Sequence, residues 1–299
     1  MSRSMLKVAK TVIAIPGLLA FVLLVAILPI LLQLGENGSS IQLNWSGGFA
    51  SIRDYFAGIG TGESFRFLSG RTERSFWEQI GSFFNVSLFY VAAGALIGTT
   101  IGILVGIYLG LSRAEWLKRV VEFIGALPDF VIILLLQFLV VYIASETGIV
   151  VFRVASLSTD HPAVMLPLIS MIVLPANYMI RNVAQQMKIT LSEDYIGFAK
   201  ARGLGKTYIV FFHALPNVLP FIKADLHKLL GIMMGNLFIV EYLFNMHGVT
   251  KLLYADAFAY EGYQYDVVVN GLLSLLAVYA IVFIVLKLFL RGWEKVFVR

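Results

Sequence analysis

The stretch AKARGLGKT at 199–207 ends in Gly205-Lys206-Thr207, the tail of a phosphate-binding loop. In such a loop, G-x-x-x-x-G-K-[ST], backbone N–H groups wrap the phosphates and the lysine neutralises them. The opening glycine would fall at residue 200, which is Lys200, and no strand pattern precedes it. The chain itself is therefore read as binding no nucleotide. With no cysteine, disulfides, thiolate nucleophiles and Cys-ligated metals are excluded as well. The four histidines, His161, His213, His227 and His247, lack a ligand spacing such as H-E-x-x-H, and no G-x-S-x-G elbow occurs. No metal site and no catalytic set is expected, and the chain is not read as an enzyme.

The elements that carry these residues are built for hydrocarbon. Of 299 residues, 59% are hydrophobic and 14% charged, with a mean hydropathy of +0.84. Soluble domains carry about one quarter charged residues, so the solvent implied is a bilayer. The net charge of +5 is not gathered into a patch that would suit nucleic acid. Its basic residues recur between apolar runs, where topology determinants sit. A spanning helix takes about 20 apolar residues, and six runs meet that need: 11–34, 83–111, 120–145, 162–182, 217–244 and 267–290. The first is too long for a signal-peptide core and lacks an A-x-A site, so it is read as a retained span. The fold class expected is an all-α polytopic membrane protein of six transmembrane helices.

Lys and Arg orient it. Arg3, Lys7 and Lys10 precede the first run; Arg113, Lys118 and Arg119 lie between the second and third. Lys188, Lys200, Arg202 and Lys206 lie between the fourth and fifth, and Arg291, Lys295 and Arg299 follow the sixth. All four clusters fall on one side of a six-span arrangement, which makes that side cytoplasmic and both termini with it. The segments are then 1–34, a cytoplasmic N-terminus and first span; 35–82, a small external subdomain; 83–290, a core of five spans with a loop at 186–216; and 291–299, a cytoplasmic tail. Arg53, Arg66, Arg71 and Arg74 stand in the external segment, where charges of a longer loop weigh less.

The second run holds Gly94, Gly98, Gly102, Gly106 and Gly110, a glycine at every fourth position. This is an extended small-xxx-small face that lets another backbone approach closely. Fixed helix packing and a contact that slides as the protein opens both fit it.

The loop between the fourth and fifth runs, SEDYIGFAKARGLGKTYIVFFHALPN, has its own pattern. Ser192 is a candidate N-cap, with Glu193 and Asp194 in the first turn. Tyr195, Phe198, Ala199 and Arg202 share one helical face, and Gly203 and Gly205 supply helix-ending positions. A short helix over 193–204 follows, too polar to enter the bilayer. An interfacial helix on lipid headgroups and a docking helix for a cytoplasmic partner fit it equally on physical grounds.

This segment resembles the coupling motif of permease subunits in binding-protein-dependent ABC importers, E-A-A-x3-G-x9-I-x-L-P, in its peptide-importer form. The matching residues are Asp194-Tyr195-Ile196, Ala199, Ala201, Arg202, Gly203 and Leu204, with Leu215-Pro216 at the family's distance after Gly203. Gly197 and Phe198 depart from the generic E-A, and His213 replaces the isoleucine. RTERSFWEQIGSFFNVSLFYV at the start of the second run, LPDFVIILLLQ at 127–137 and VEYLFNMHGVTKLL at 240–253 are similar to further ordered motifs of these permeases, with His247 at a usual proline. The likeness covers roughly 50–290.

The resemblance implies a pore half paired with a second, related but heterologous permease subunit, two cytoplasmic ATPase subunits that bind ATP and Mg, and an extracytoplasmic solute-binding protein. It implies a bacterial cytoplasmic membrane and import of a peptide or similar small solute. The relatives carry dipeptides, oligopeptides, nickel chelates or haem, and the motifs do not choose among these. The helix at 193–204 would sit in an ATPase groove, with Glu193, Asp194, Tyr195, Ala199, Lys200, Ala201, Arg202, Gly203, Leu204, Gly205 and Pro216 forming the coupling set. Ala199 and Ala201 would be contact positions and Gly203 a turn that side chains resist. A secondary carrier or channel, working with no ATPase, is the rival class; such proteins usually carry internal repeats or selectivity elements, and no repeated half occurs in this sequence.

Charges inside spans are functional candidates because burying them is costly. Glu241 matches the family's V-E and is read either as a gate or as reaching headgroups or a neighbouring span. Lys223, Asp225, His227 and Lys228 open the fifth run; Lys223 and His227 share a face, and Asp225 can pair with Lys228. Snorkelling with internal pairing and lining a polar pathway are both open for them. Met233 and Met234 fit either packing or an adaptable substrate surface. Asp129 and Arg181 are read as helix-end or interfacial charges.

Overall fold

The computed structural model describes residues 3–34, 41–157, 162–260 and 262–297. His161, residues 35–40 of the expected external subdomain and Arg299 of the tail lie outside the described residues, as do the side chains of Arg3, Lys7 and Lys10. The chain is helical almost throughout, as a backbone in hydrocarbon must be, because a helix satisfies its own N–H and C=O groups.

Two compact units form. The first joins Met1–Phe84 with Gly248–Leu276. It contains α1 (Arg3–Leu31), α2 (Trp45–Thr61), the hairpins β1–β2 (Leu32–Leu34, Ile41–Leu43), β3–β4 (Arg66–Ser69, Thr72–Ser75) and β5–β6 (Phe258–Ala259, Gly262–Tyr263), and the short α11 (Lys251–Tyr254). Its core sets Val22, Leu23, Ala26 and Ile27 of α1 against Tyr55, Tyr265 and Val269. Buried polar groups inside it are matched: Tyr55 donates to Asn270 at 2.9 Å, Asn270 Nδ2 to the Ser64 carbonyl at 2.7 Å, and Ser64 to the Tyr55 carbonyl at 2.7 Å. Residues of 41–82 thus share a core with residues of 248–276. The Tyr263 hydroxyl donates to the Ala26 carbonyl at 2.6 Å, and burial pushes that phenol up to about 12.

The second unit joins Asn85–His247 with Ala277–Arg299. It holds most of α3 (Phe76–Leu111), α4 (Glu115–Ala126), α5 (Asp129–Thr147), α6 (Met165–Thr190), α7 (Asp194–Ala201), the single turn α8 (Lys206–Tyr208), a π-helical segment (Ile209–Ala214), α9 (Leu215–Ala224), α10 (Leu226–Leu243) and the later part of α12 (Tyr265–Phe297). Among the described residues α3, α5, α6, α10 and α12 are long and apolar enough to cross a membrane, and Ile15–Leu31 of α1 is a shorter apolar helix.

The glycine row decides the arrangement of α3 and α6. A methyl placed on Gly94 would meet the Met171 carbonyl oxygen at 2.6 Å; on Gly98, Pro175 at 2.9 Å; on Gly106, Val183 at 2.6 Å; on Gly110, Met187 at 2.7 Å. On Gly102 it would overlap Met179 Cβ. Positions 171, 175, 179, 183 and 187 are themselves every fourth residue, so two i, i+4 ridges run side by side in the same direction. Parallel α3 and α6 require an odd number of crossings between them, and α5 supplies one.

The run 120–145 is accordingly not one span. Pro128 has no N–H and forces Leu127 out of the helical region, to ψ 140, so the helix breaks there. The preceding α4 has 12 residues, about 18 Å, too short for about 30 Å of hydrocarbon. The run 217–244 is also divided, into α9 and α10 meeting at Asp225 (ψ −6). Its start is blurred by Pro216 and Pro220, and the π-helical turns before α9 accommodate the backbone donor missing at Pro216. The fourth helix runs to Thr190, beyond 182, and α12 to Phe297, beyond 290.

Candidate functional site

The segment 191–217 is built around α7, eight residues long rather than the twelve of 193–204. Ser192 is not its cap: the hydroxyl donates back to the Lys188 carbonyl at 3.0 Å, and Glu193, extended at ψ 149, occupies the N-cap position. At the other end Gly203 is left-handed, φ 78. Gly203 N–H donates to the Lys200 carbonyl at 2.9 Å and Leu204 N–H to the Ala199 carbonyl at 3.2 Å, the paired bonds of a Schellman stop. Gly205 does not end this helix; extended at ψ 148, it opens α8.

The faces of α7 also differ from the sequence reading. Ile196 and Ala199 are buried, and α7 packs on the π-helical segment. Ala199 is therefore an internal packing position, not an outward contact. Tyr195, Lys200, Ala201 and Arg202 face outward, and Phe198 is 72% exposed. Asn217 Nδ2 donates to the Tyr195 hydroxyl at 3.0 Å and to the His213 carbonyl at 2.8 Å, clamping α7 to the start of α9. Burial holds the Tyr195 phenol above its ordinary value, an effect partly offset by that hydrogen bond. The half-buried Pro216 stands beside this clamp and Leu204 is half-buried. The product is a short stiff helix with an isolated aromatic side chain on its free face.

The residues proposed for a gate or pathway do not converge. Glu241 is wholly buried and accepts a hydrogen bond from Ser87 of α3 at 2.5 Å, so it joins two helices and faces no opening. Met233 is buried core and Met234 half-buried. Asp225 does not pair with Lys228; its Oδ2 accepts from Asn182 at 2.8 Å and Tyr178 at 3.3 Å, both on α6. Lys228 lies over the Tyr178 ring at 5.3 Å. Lys223 is ion-paired with Glu294 of α12. His227 stacks on Phe283 at 4.4 Å, and its Nδ1 is 2.6 Å from the Tyr279 hydroxyl. These charged and polar groups at the start of the fifth run are thus taken up by neighbouring helices. Ser87, Tyr178, Asn182, Asn217 and Glu294 escaped the sequence reading, although Asn182 in an apolar run carried a signal of its own. Among the described residues no group of three or more His, Asp and Glu side chains is placed to hold a metal.

Residues 98–299 match the family described as binding-protein-dependent transport system inner membrane component. The chain belongs to that family. Its several apolar helices make it a multi-pass membrane member. The chain is similar to the metal-staphylopine import system permease protein of Staphylococcus aureus, 26% identical over 179 residues, 58% of this chain and 55% of that protein. It is similar to the oligopeptide transport system permease protein of Mycoplasma genitalium, 28% identical over 174 residues, 56% of this chain and 42% of that one. With the di/tripeptide transport system permease protein of Pseudomonas aeruginosa it shares 26% identity over 230 residues, 68% of this chain and 67% of that protein. The chain thus spans about half the length of the first relatives it matches. Among solved structures, a chain of the inward-facing MetNI methionine ABC transporter superposes with a TM-score of 0.55 at 18% identity, covering 73% of this family member and 97% of that chain. That likeness is one of fold.

Proposed function

We propose that this chain is one transmembrane half of an ATP-driven importer and that α7 is where a cytoplasmic ATPase docks. The observation that carries the reading is the construction of α7. It is locked by Ile196, Ala199 and Asn217, ended by Gly203, and presents Phe198 outward. A helix that transmits force must move as a rigid piece, and an exposed aromatic on a rigid helix suits a partner's pocket. Membership in a binding-protein-dependent family supports the same role.

In this reading the chain has six spans, with both termini and α7 on the cytoplasmic side. ATP and Mg bind the two partner ATPases; a second, related permease chain completes the pore, and an extracytoplasmic binding protein delivers solute. The bacterial cytoplasmic membrane houses the assembly. The cargo is a peptide or peptide-like solute, by likeness to the oligopeptide, di/tripeptide and metal-staphylopine permeases. Hydrolysis occurs on the ATPases, and this chain performs none.

The test is co-purification of the ATPase subunits with the tagged chain from its native membrane. Phe198→Arg is expected to abolish association while leaving membrane insertion and the α7 clamp intact, because that side chain is 72% exposed among the described residues. Ala199→Arg would confuse the result by disrupting the chain's own packing. Undiminished association of the Phe198→Arg chain, or solute uptake by the purified chain with no ATPase present, overturns the proposal.

A further inference from the structure

A second polar feature lies beneath α4. Between α4, the end of α3 and the later turns of α6 is an open cavity of about 390 Å³, with Lys118, Glu122, Arg181, Gln185 and Lys188 among its lining residues. Three cations thus line it with Glu122, while Glu115 also acts on Lys118 and Lys188, and Asp129 lines a neighbouring cavity with Arg181. Lys118 is paired with Glu115 at 3.0 Å, and that contact pulls the Glu115 carboxyl below its ordinary value. The side chains of Arg181 and Lys188 make no ion pair and no hydrogen bond among the described residues. The guanidinium of Arg181 lies against Gly125 of α4, where a methyl would come within 2.5 Å of its Nη1, so α4 seats directly over it.

The cover of this cavity is inverted relative to a soluble protein. Lys118, Glu122 and Gly125, at i, i+4, i+7, turn toward α6, while Trp116, Val120 and Phe123 form the opposite stripe and are 67%, 45% and 67% exposed. A helix with its large apolar side chains outward belongs in an apolar medium or at its boundary. Depth agrees: α6 has 26 residues, about 39 Å, so its last turns outrun about 30 Å of hydrocarbon and carry Gln185 and Lys188 to headgroup level. Arg181, two turns deeper, can reach the same level along its aliphatic stem.

We infer that this cavity binds the phosphate of an anionic phospholipid, held by Arg181 and Lys188 with Lys118 as a third donor. Arg181 and Lys188 have no direct ion pair or hydrogen bond among the described residues, only the field of Glu115 on Lys188 and of Glu122 across the cavity. Cations at that depth are costly, and lipid phosphate is the anion present there in bulk. Arg181 supplies a planar fork for two phosphate oxygens and Lys188 a point charge. Arg181, Lys118 and Lys188 all lie outside α7, but Lys188 also borders Glu193 and Asp194, so the Arg181 variants are the ones that separate lipid binding from ATPase docking.

The experiment is native mass spectrometry of the purified full chain titrated with phosphatidylglycerol or phosphatidylcholine. One phosphatidylglycerol per chain is expected to survive detergent removal, and phosphatidylcholine is expected to be lost. Arg181→Gln and Lys188→Gln are each expected to lower retention about five- to tenfold, whereas Arg119→Gln, an exposed charge of the same helix as Lys118, leaves it unchanged. Arg181→Lys keeps the charge but not the fork and, with the thermal unfolding midpoint as a folding control, is expected to retain more lipid than Arg181→Gln and less than the unaltered chain. Equal retention of both lipids, equal losses in all three Gln variants, or full displacement by millimolar inorganic phosphate overturns the lipid site. The last outcome would assign a free-phosphate site instead. Retention lost only when a second permease chain is bound would assign the face to that chain and overturn the lipid as well.

Discussion

Ser87 of α3 donates its hydroxyl proton to Glu241 of α10 at 2.5 Å, with both side chains sealed from solvent. A carboxylate so placed is a fastener between two helices 154 positions apart in sequence. Removing the hydroxyl should cost about 1–3 kcal/mol, because the acceptor is buried. Ser87→Ala is therefore expected to lower the thermal unfolding midpoint in detergent. Ser82→Ala, on the exposed side of the same helix, should not. Identical midpoints for the two variants would remove Glu241 from the list of structural fasteners.

The glycine ridge makes a sharper contrast. Gly102→Ala puts a methyl onto Met179 Cβ, in a parallel helix pair with no slack at Gly98 or Gly106. A loss of about 1–3 kcal/mol is expected from the forced separation. Gly235→Ala on α10 meets nothing within 4 Å and should hold or gain stability through helix propensity. Unfolding in a denaturing detergent titration measures both; a tolerated Gly102→Ala would mean the ridge has room to slide.

Gly203 holds φ 78 at the end of α7. An alanine there pays about 1–2 kcal/mol to remain left-handed. Gly203→Ala is expected to loosen the Schellman stop, accelerating hydrogen exchange at the Leu204 amide about tenfold, while amides inside α6 exchange as before. An unchanged Leu204 rate would show that the stop rests on contacts other than this backbone geometry.

Lys223 and Glu294 tie α9 to α12 by a partly exposed ion pair. Such pairs contribute up to about 1 kcal/mol and are screened by salt. Lys223→Glu and Glu294→Lys should each lower stability, and the double exchange should recover most of the loss at low ionic strength. Additive losses in the double variant would show that the two residues act through separate neighbours.

Tyr195 and Asn217 make the clamp of α7 testable without a partner. Tyr195→Phe keeps the ring and deletes the accepting hydroxyl, at a cost of about 1 kcal/mol. Faster proteolysis within 191–208 is the expected result, and an unchanged cleavage pattern would place the stiffness of α7 in Ile196 and Ala199 alone.

Much was legible in the residues themselves. The bilayer as solvent, the apolar runs, the clusters of Lys and Arg between them and the four-residue glycine period are all properties of a short window, set by transfer free energy and helix repeat. Gly203 as a stop is likewise local, since its φ requirement involves only its own backbone. The break at Leu127–Pro128 was also written locally, but hydropathy averaged it away.

What the tertiary structure decided is which side of each helix is used. Phe198 points outward and Ala199 inward because the π-helical segment before Pro216 lies beneath α7. Asp225 turns to Asn182 and Tyr178 rather than to Lys228 because α6 offers donors closer than its own helix does. Glu241 is a fastener because Ser87 happens to stand opposite. Each of these depends on a neighbour from about ten to more than a hundred residues away, and helical periodicity fixes which residues share a face without saying what that face will meet.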